Sequence, residues 1–482
     1  MTNALHRVGA RGGGITLIGQ AARMLVQLVS VITLSRLLTP EDFGLVAMVV
    51  VFMTLADLIR DFGLSGAALQ AKQLSQQQAS NLFWASWGLG AISAVVLVAA
   101  TPLIVRLYDE PRLAQIIPAM ALTLFISGAQ AQLQVQLARR LKFTLLAASA
   151  FASSVVGLGV AVVAALNGWG YWALVIQPVV AAFTLLLIQS IGAHWLPSLP
   201  RRGHGSAHLF RSGAQLGAAY LLTWSASNVD SLLIGARWGA TSLGYYNRAF
   251  QLTATLVGGL LGPLTKVAVP LLNEYSLAGK RPADALLRMQ FLLAGPVCVL
   301  MVMLALTAPS LIPLVLGPQW APAVPLVQIL ALGECIHVLS VISFWGFLAE
   351  GLSKQLLYYN LVTKPIAVSL VVVAAPLGVH WVAWAYVSGL AVSWPINLAW
   401  LSRTSNYEGR RFLVGGLRVL ATAGTTYGLL WLALRGWAGS QSWWFVLTGA
   451  AGAVLLFVAL TAAFPSGRRD LVRVSQVIKS LR

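Results

Sequence analysis

Charge is what this chain has least of. Only 9% of its 482 residues are charged, and just 13 are acidic, whereas an ordinary soluble domain is roughly 25% charged. With 58% apolar residues and a mean hydropathy of +0.80, that shortage excludes a soluble enzyme and a disordered chain. Cysteine is nearly missing. Cys298 and Cys335 both fall inside apolar runs, which gives no disulfide framework and no metal-ligand spacing. There is no long polar stretch to fold outside a bilayer, so a protein held by one anchoring helix is excluded too. The chain carries no Walker motif and therefore does not itself hydrolyse ATP. It also lacks the alternating ten-residue strands of a membrane β-barrel. Met1–Arg11 is polar and basic, and no small-residue cleavage site follows the first apolar run, so no removable signal peptide is expected.

What is present is long continuous apolar segments. The apolar residues roughly equal what fourteen spanning helices of about 20 residues each would use. Spans are expected near 15–36, 43–66, 81–105, 113–137, 144–166 and 170–192, then after a polar loop, His194–His208, near 212–235, 243–268, 290–313, 323–349, 356–376 and 379–401, with two last spans near 412–434 and 442–463. The net charge is +19. In a soluble protein it would suggest nucleic acid; here it reads as the positive-inside signal, with no nucleic-acid partner expected. If the N-terminus is cytoplasmic, 23 of the 32 Lys and Arg residues fall in inside segments, 5 in outside segments and 4 within spans. That bias implies an even number of spans with both termini in the cytoplasm; miscounting one pair would leave twelve. The outside loops are short turns, so function is expected within the bilayer. The linker histidines His194, His204 and His208 read as solvated residues rather than a metal site. Beyond Pro465, Leu471, Val474, Ile478 and Leu481 recur at helical spacing among basic residues, which reads as an interfacial helix on anionic lipids.

The chain also resembles itself at an offset of about 200 residues. Arg36-Leu37-Leu38-Thr39-Pro40-Glu41-Asp42-Phe43-Gly44 joins spans one and two, and Arg237-Trp238-Gly239-Ala240-Thr241-Ser242-Leu243-Gly244 joins spans seven and eight. Six spans separate the motifs, so both halves enter the membrane in the same orientation. That is a parallel repeat, with a site expected between its halves. The expected layout is an N-terminal half at 1–200, a C-terminal half at 201–402, two further spans at 403–465 and a basic amphipathic tail at 466–482.

The first of these motifs, continuing through Leu45-Val46-Ala47, resembles the first-loop signature of the bacterial polysaccharide-exporter (Wzx-like) flippases. So do Asp61-Phe62-Gly63-Leu64 in span two and Leu243-Gly244-Tyr245-Tyr246-Asn247-Arg248-Ala249 in the second half. The resemblance runs over most of the chain and places it in the MOP superfamily, which also contains drug exporters and peptidoglycan-precursor flippases. It implies an all-α polytopic membrane protein of about fourteen helices: two six-helix halves around a central cavity, plus two C-terminal helices. It also implies export of undecaprenyl-diphosphate-linked glycan units across the bacterial inner membrane.

Ionisable residues within spans cost roughly 2.5–3.5 kcal/mol on insertion scales and mark functional candidates. Arg23 lies about eight residues into span one on a face with Gln20 and Gln27, where it either faces a cavity or snorkels to the cytoplasmic surface. Asp57, Arg60 and Asp61 share one face of span two. They form either a self-neutralising cluster or a phosphate-binding cation with exchangeable carboxylate partners. Asp230 in span seven has no charged neighbour in sequence. Span eight carries Arg248 with Gln251, and span ten carries Glu334 and His337, a structural pair or a proton relay. Span eleven carries Lys364 directly before Pro365.

A diphosphate-linked glycan needs guanidinium or ammonium donors for its head, amides, hydroxyls and aromatics for its sugars, and lateral access for its lipid tail. Arg23, Arg60, Arg248 and Lys364 are the expected head contacts. Asp57, Asp61 and Asp230 are expected to serve coupling or charge balance. No cofactor is expected; the coupling ion would be a proton or sodium. The expected partners are the polyprenyl-linked glycan, anionic lipids, and a polysaccharide polymerase with its export machinery. Two alternatives carry less. A MATE-like drug or metabolite exporter would favour acidic, aromatic cavities. A glycan polymerase or membrane glycosyltransferase would need a large outside loop or an acidic catalytic motif.

Overall fold

The computed structural model describes residues 2–61, 63–71, 74–201, 224, 228–277, 282–405, 407–434, 443–464 and 467–468. Among these the chain is helical throughout, with short 3-10 turns and no strand. Eleven helices are long and apolar enough to cross a membrane, or twelve when the bent pair Val229–Gly262 and Val267–Tyr275 counts as one span. The first expected span lies within a longer helix, and most of the expected seventh, 212–235, lies outside the described residues, as does nearly all of the C-terminal tail.

Hydrocarbon offers the backbone no hydrogen-bond partner, so spanning segments must be helices. They are drawn together by close packing of small residues and by polar contacts rather than by the hydrophobic effect. The chain forms two compact units, Met1–Gly244 and Tyr245–Arg482.

The first unit contains α1 (Thr2–Leu37), α2 (Pro40–Asp61), the short α3 (Leu64–Gln70), α4 (Gln76–Ala99), α5 (Thr101–Tyr108), α6 (Leu113–Arg139), α7 (Phe143–Leu166) and α8 (Trp172–Ala193). Leu34 and Leu38 of α1 pack on Ala161, Ala164 and Ala165 of α7 and on Ala173 and Leu174 of α8. Helices α4 and α6 meet along a seam of small residues, where Ser86 and Gly90 face Gly128. A buried polar chain joins α6, α8 and α7: Gln130 Nε2 donates to Gln189 Oε1 at 2.7 Å, and Gln189 Nε2 donates to Ser149 Oγ at 3.2 Å.

The helical element that follows, α9 (Val229–Leu277), breaks at Gly239, where φ is 73°. Its first part, up to Gly244, belongs to the first unit for a steric reason. A side chain at Gly44 would overlap the Ala240 carbonyl, and one at Gly244 would overlap the Pro40 carbonyl. The two motifs that repeat in sequence are therefore pressed backbone to backbone, each through its own glycine.

The second unit is built on α10 (Pro282–Leu316) and α11 (Val324–Ala349), the most deeply buried spans. Around them lie α12 (Ser353–Ala374), α13 (Val379–Thr404), α14 (Gly409–Leu434) and α15 (Trp443–Ala463). The last two pack on α10. Gln290 Nε2 of α10 donates to the Phe412 carbonyl of α14 at 2.9 Å, and Gly449 of α15 lies beside Thr307. Cys298 and Cys335 are buried free thiols.

Gly44→Ala and Gly244→Ala should each destabilise the protein by about 1–3 kcal/mol through overpacking. Gly88→Ala, where an added methyl meets nothing within 4 Å, should be neutral or slightly stabilising. Thermal unfolding of the detergent-solubilised variants checks the contrast; equal effects at all three positions would refute the interlock.

Candidate functional site

The first-loop motif resolves into helix-starting chemistry. Thr39 is the N-cap of α2. Its hydroxyl donates to Asp42 Oδ2 at 2.7 Å and accepts the Asp42 backbone N–H at 3.2 Å, while Thr39's own N–H donates to Asp42 Oδ2 at 2.9 Å. This is a reciprocal capping box. Pro40 sits at the first helical position, where its missing N–H costs nothing, and Glu41 and Asp42 place negative charge at the helix N-terminus. Arg112, just before α6, bonds Glu41 at 2.5 Å and Glu110 at 2.8 Å. These hydrogen bonds from Arg112 hold the Glu110 carboxyl below the usual carboxylate range.

The second motif is a helix break. Helix α2 ends at Asp61, inside a candidate span that continues to Leu69, past the expected residue 66. Gly63 then adopts φ 71°, ψ 6° and caps α3. That left-handed conformation is one that side-chain-bearing residues rarely adopt. The Asp61 carboxylate accepts the Ser65 hydroxyl across the break.

The charged residues inside the spans fall into two groups. Arg60 is committed: its Nε lies 3.0 Å from Asp57 Oδ1 and its Nη1 donates to the Ser127 carbonyl at 2.8 Å. Its side chain is 15% exposed while that of Asp57 is 49% exposed, so the pair presents its carboxylate outward. Arg248 is only 5% exposed. Its guanidinium lies over the Trp320 ring, 5.6 Å from the centroid, and donates to Gln251 Oε1 at 2.8 Å. This residue, an expected head contact, is thus embedded in packing. Asp230 is buried in the first turn of α9 and accepts the Ser231 backbone N–H at 2.8 Å. Glu334 is buried, and its Oε2 lies 2.9 Å from His337 Nδ1, one helical turn away.

The other group is exposed. Arg23 and Lys364 both lie open on their helices, Arg23 with Gln20 and Gln27 on an exposed stripe of α1. Helix α12 continues unbroken through Pro365. Within the first unit Asp57 and Arg60 are brought together, and among the described residues no ion pair joins Arg23 to them.

Two sets of residues escaped the sequence reading. The Thr39–Asp42 box had a readable signal in its Thr-x-x-Asp spacing before an apolar run. The basic residues Arg139, Arg140 and Lys142 had none. Arg139 donates to the carbonyls of Ala68 and Ala71 at the end of α3; Arg140 and Lys142 donate to those of Ala193 and Gly192 at the end of α8.

These features define a polytopic, all-helical membrane protein, and its fold is that of the lipid II flippase MurJ. Against the inward closed structure of that protein the TM-score is 0.74 at 12% identity, covering 95% of this chain and 99% of the other. The chain is 24% identical over 468 residues to the teichuronic acid biosynthesis protein TuaB of Bacillus subtilis, covering 96% of this chain and 97% of TuaB. It is 25% identical over 314 residues to the lipopolysaccharide biosynthesis protein WzxC of Escherichia coli, covering 63% of this chain and 62% of WzxC. Residues 33–325 match the polysaccharide biosynthesis protein family, a segment that includes all three motifs, and the chain belongs to that family.

Because Glu110 ionises more readily in the fold than in the unfolded chain, its contribution is full above the ordinary carboxylate pKa. It fades as pH falls through the lowered folded value. The Arg112 side chain is exposed to water, which screens the interaction, so the effect is about 0.2–1 kcal/mol. Glu110→Gln should flatten the acid limb of the melting temperature against pH; an unchanged acid limb would refute the coupling.

Proposed function

We propose that this chain flips a polyprenyl-diphosphate-linked oligosaccharide from the cytoplasmic to the outer leaflet of a bacterial inner membrane by alternating access, and that it is not an enzyme. The observation that carries this reading is Arg23, an exposed guanidinium on an exposed amide-bearing stripe of α1, in a chain of the polysaccharide biosynthesis family with a MurJ fold. Among the described residues no carboxylate pairs with Arg23, and a charge within a span is costly unless water or an anion reaches it. A diphosphate head supplies the anion, and the guanidinium holds it with paired, directional hydrogen bonds. Lys364 offers a second exposed cation. Arg60 would join by exchanging Asp57 for phosphate, leaving Asp57 and Asp61 to balance charge or carry a coupling proton. Asp230 is a further candidate for coupling. Arg248 supports the second unit by packing on Trp320 and takes no direct part while so packed. The lipid tail would remain in the bilayer, and a polymerase would consume the delivered unit.

Orientation is proposed with both termini cytoplasmic. Seven exposed tryptophans (Trp169, Trp238, Trp381, Trp384, Trp431, Trp443 and Trp444) all lie at helix ends that the positive-inside bias assigns to the outside. Indoles favour the membrane interface, so these helix ends lie at an interface opposite most of the Lys and Arg residues.

Arg23→Ala should abolish surface polysaccharide at normal protein levels, with lipid-linked intermediate accumulating on the cytoplasmic leaflet. Arg60→Ala should do the same, whereas Arg60→Lys should retain partial export. Full export by both alanine variants, measured as extracted surface glycan, would remove these residues from the mechanism.

A further inference from the structure

The segment that leaves α8, Trp195–Arg201, is tied along the first turns of α4. Trp195 is buried, and its indole donates to Gln76 Oε1 at 2.5 Å. Gln76 and Gln77 donate to the carbonyls of Leu196 and Leu199 at 3.0 and 2.8 Å. Ser198 bonds the Ser80 hydroxyl through its backbone N–H and its own hydroxyl, both at 3.0 Å, and its carbonyl accepts the Trp84 indole at 2.9 Å. At the far end Asn81 clamps one residue from both sides: Nδ2 donates to the Arg201 carbonyl at 2.8 Å, and the Arg201 N–H donates to Oδ1 at 3.0 Å. Helix α4 thus devotes one polar face to a strap, and the strap ends on an immobilised arginine backbone.

The Arg201 side chain is exposed, and among the described residues no carboxylate pairs with it. Other cytoplasmic-side cations of this unit are differently used: Arg139, Arg140 and Lys142 are bound to helix-end carbonyls. A guanidinium whose backbone is fixed but whose charge is free is pre-organised for an anion, since little ordering is left to do on binding. Guanidinium matches phosphate oxygens in geometry as well as charge.

We infer that the strap presents Arg201 as a fixed phosphate contact at the cytoplasmic start of α4, the phosphate belonging to a polyprenyl diphosphate or to a phospholipid headgroup. This rests on the flippase reading and extends it with an initial docking point outside the spans.

The test uses the full chain in detergent, with retention of undecaprenyl diphosphate and, separately, of phosphatidylglycerol measured by native mass spectrometry. Arg201→Ala should weaken retention about fivefold to tenfold, and Arg201→Lys should lose less. Loss of undecaprenyl diphosphate alone identifies the substrate head as the source; loss of phosphatidylglycerol as well identifies bilayer headgroups. Unchanged retention of both overturns the inference. Asn81→Ala should mimic Arg201→Ala, and a disulfide between Ser80→Cys and Ser198→Cys should restore retention by retying the strap. An Asn81→Ala variant that retains lipid like the parent would overturn the positioning role. Arg23→Ala separates the two claims. If it loses undecaprenyl diphosphate while Arg201→Ala does not, the flippase reading stands and Arg201 falls; if the parent chain retains none, both fall.

Discussion

A backbone in hydrocarbon has nothing to bond to but itself. Each helix therefore satisfies its interior, but the first N–H groups and the last carbonyls stay orphaned. Much of this chain's small polar inventory is placed at those ends. Thr39 and Asp42 close the start of α2, and Ser75 and Gln78 do the same for α4. Arg139, Arg140 and Lys142 close the ends of α3 and α8. The excess of Lys and Arg thus has a structural share in this unit. Cations near helix C-termini also meet the negative end of the macrodipole.

The same constraint explains where helices meet. With apolar side chains as comfortable in lipid as against each other, association depends on close backbone approach and on polar pairs. The Ser86, Gly90 and Gly128 seam and the Gln130–Gln189–Ser149 chain supply both in the first unit. The Gly44 and Gly244 contacts are the extreme case, because they leave no room for even a methyl group. That gives the repeated Gly a steric reason, independent of any substrate.

Much of this was legible in the sequence. Continuous apolar runs gave most of the spans, eleven or twelve of the expected fourteen among the described residues, because hydropathy over 20 residues leaves few other structures in lipid. The three motifs, Arg36–Ala47, Asp61–Leu64 and Leu243–Ala249, gave the family. Boundaries were less legible. Helix α10 runs 35 residues through Pro296, Pro309 and Pro313, and span two passes a left-handed Gly63 and continues to Leu69, beyond the expected residue 66. The site was least legible of all, because its partners are far away in sequence. Arg60 binds a carbonyl 67 residues on, and nothing near Arg248 signals that Trp320 will cover it. Local spacing offered Arg60 either Asp57 or Asp61 on the same helix face, and the ion pair forms with Asp57.

Intramembrane charge alone is therefore a blunt guide to function, and what sharpens it is whether the charge is already answered. Arg248 is held under an indole, and Arg60 is balanced by a carboxylate and a carbonyl. Arg23 and Lys364 are left exposed on their helices. A buried, balanced cation stabilises one packing and resists change; an exposed one in an apolar helix stays costly until something anionic or aqueous arrives. A transporter of an anionic head uses both kinds: balanced charges keep each bundle rigid, and unbalanced ones make the energy of the empty and loaded states differ. Only such a difference lets a ligand shift a conformational equilibrium. The division among these four cations is thus the physical form that substrate coupling would take in this chain.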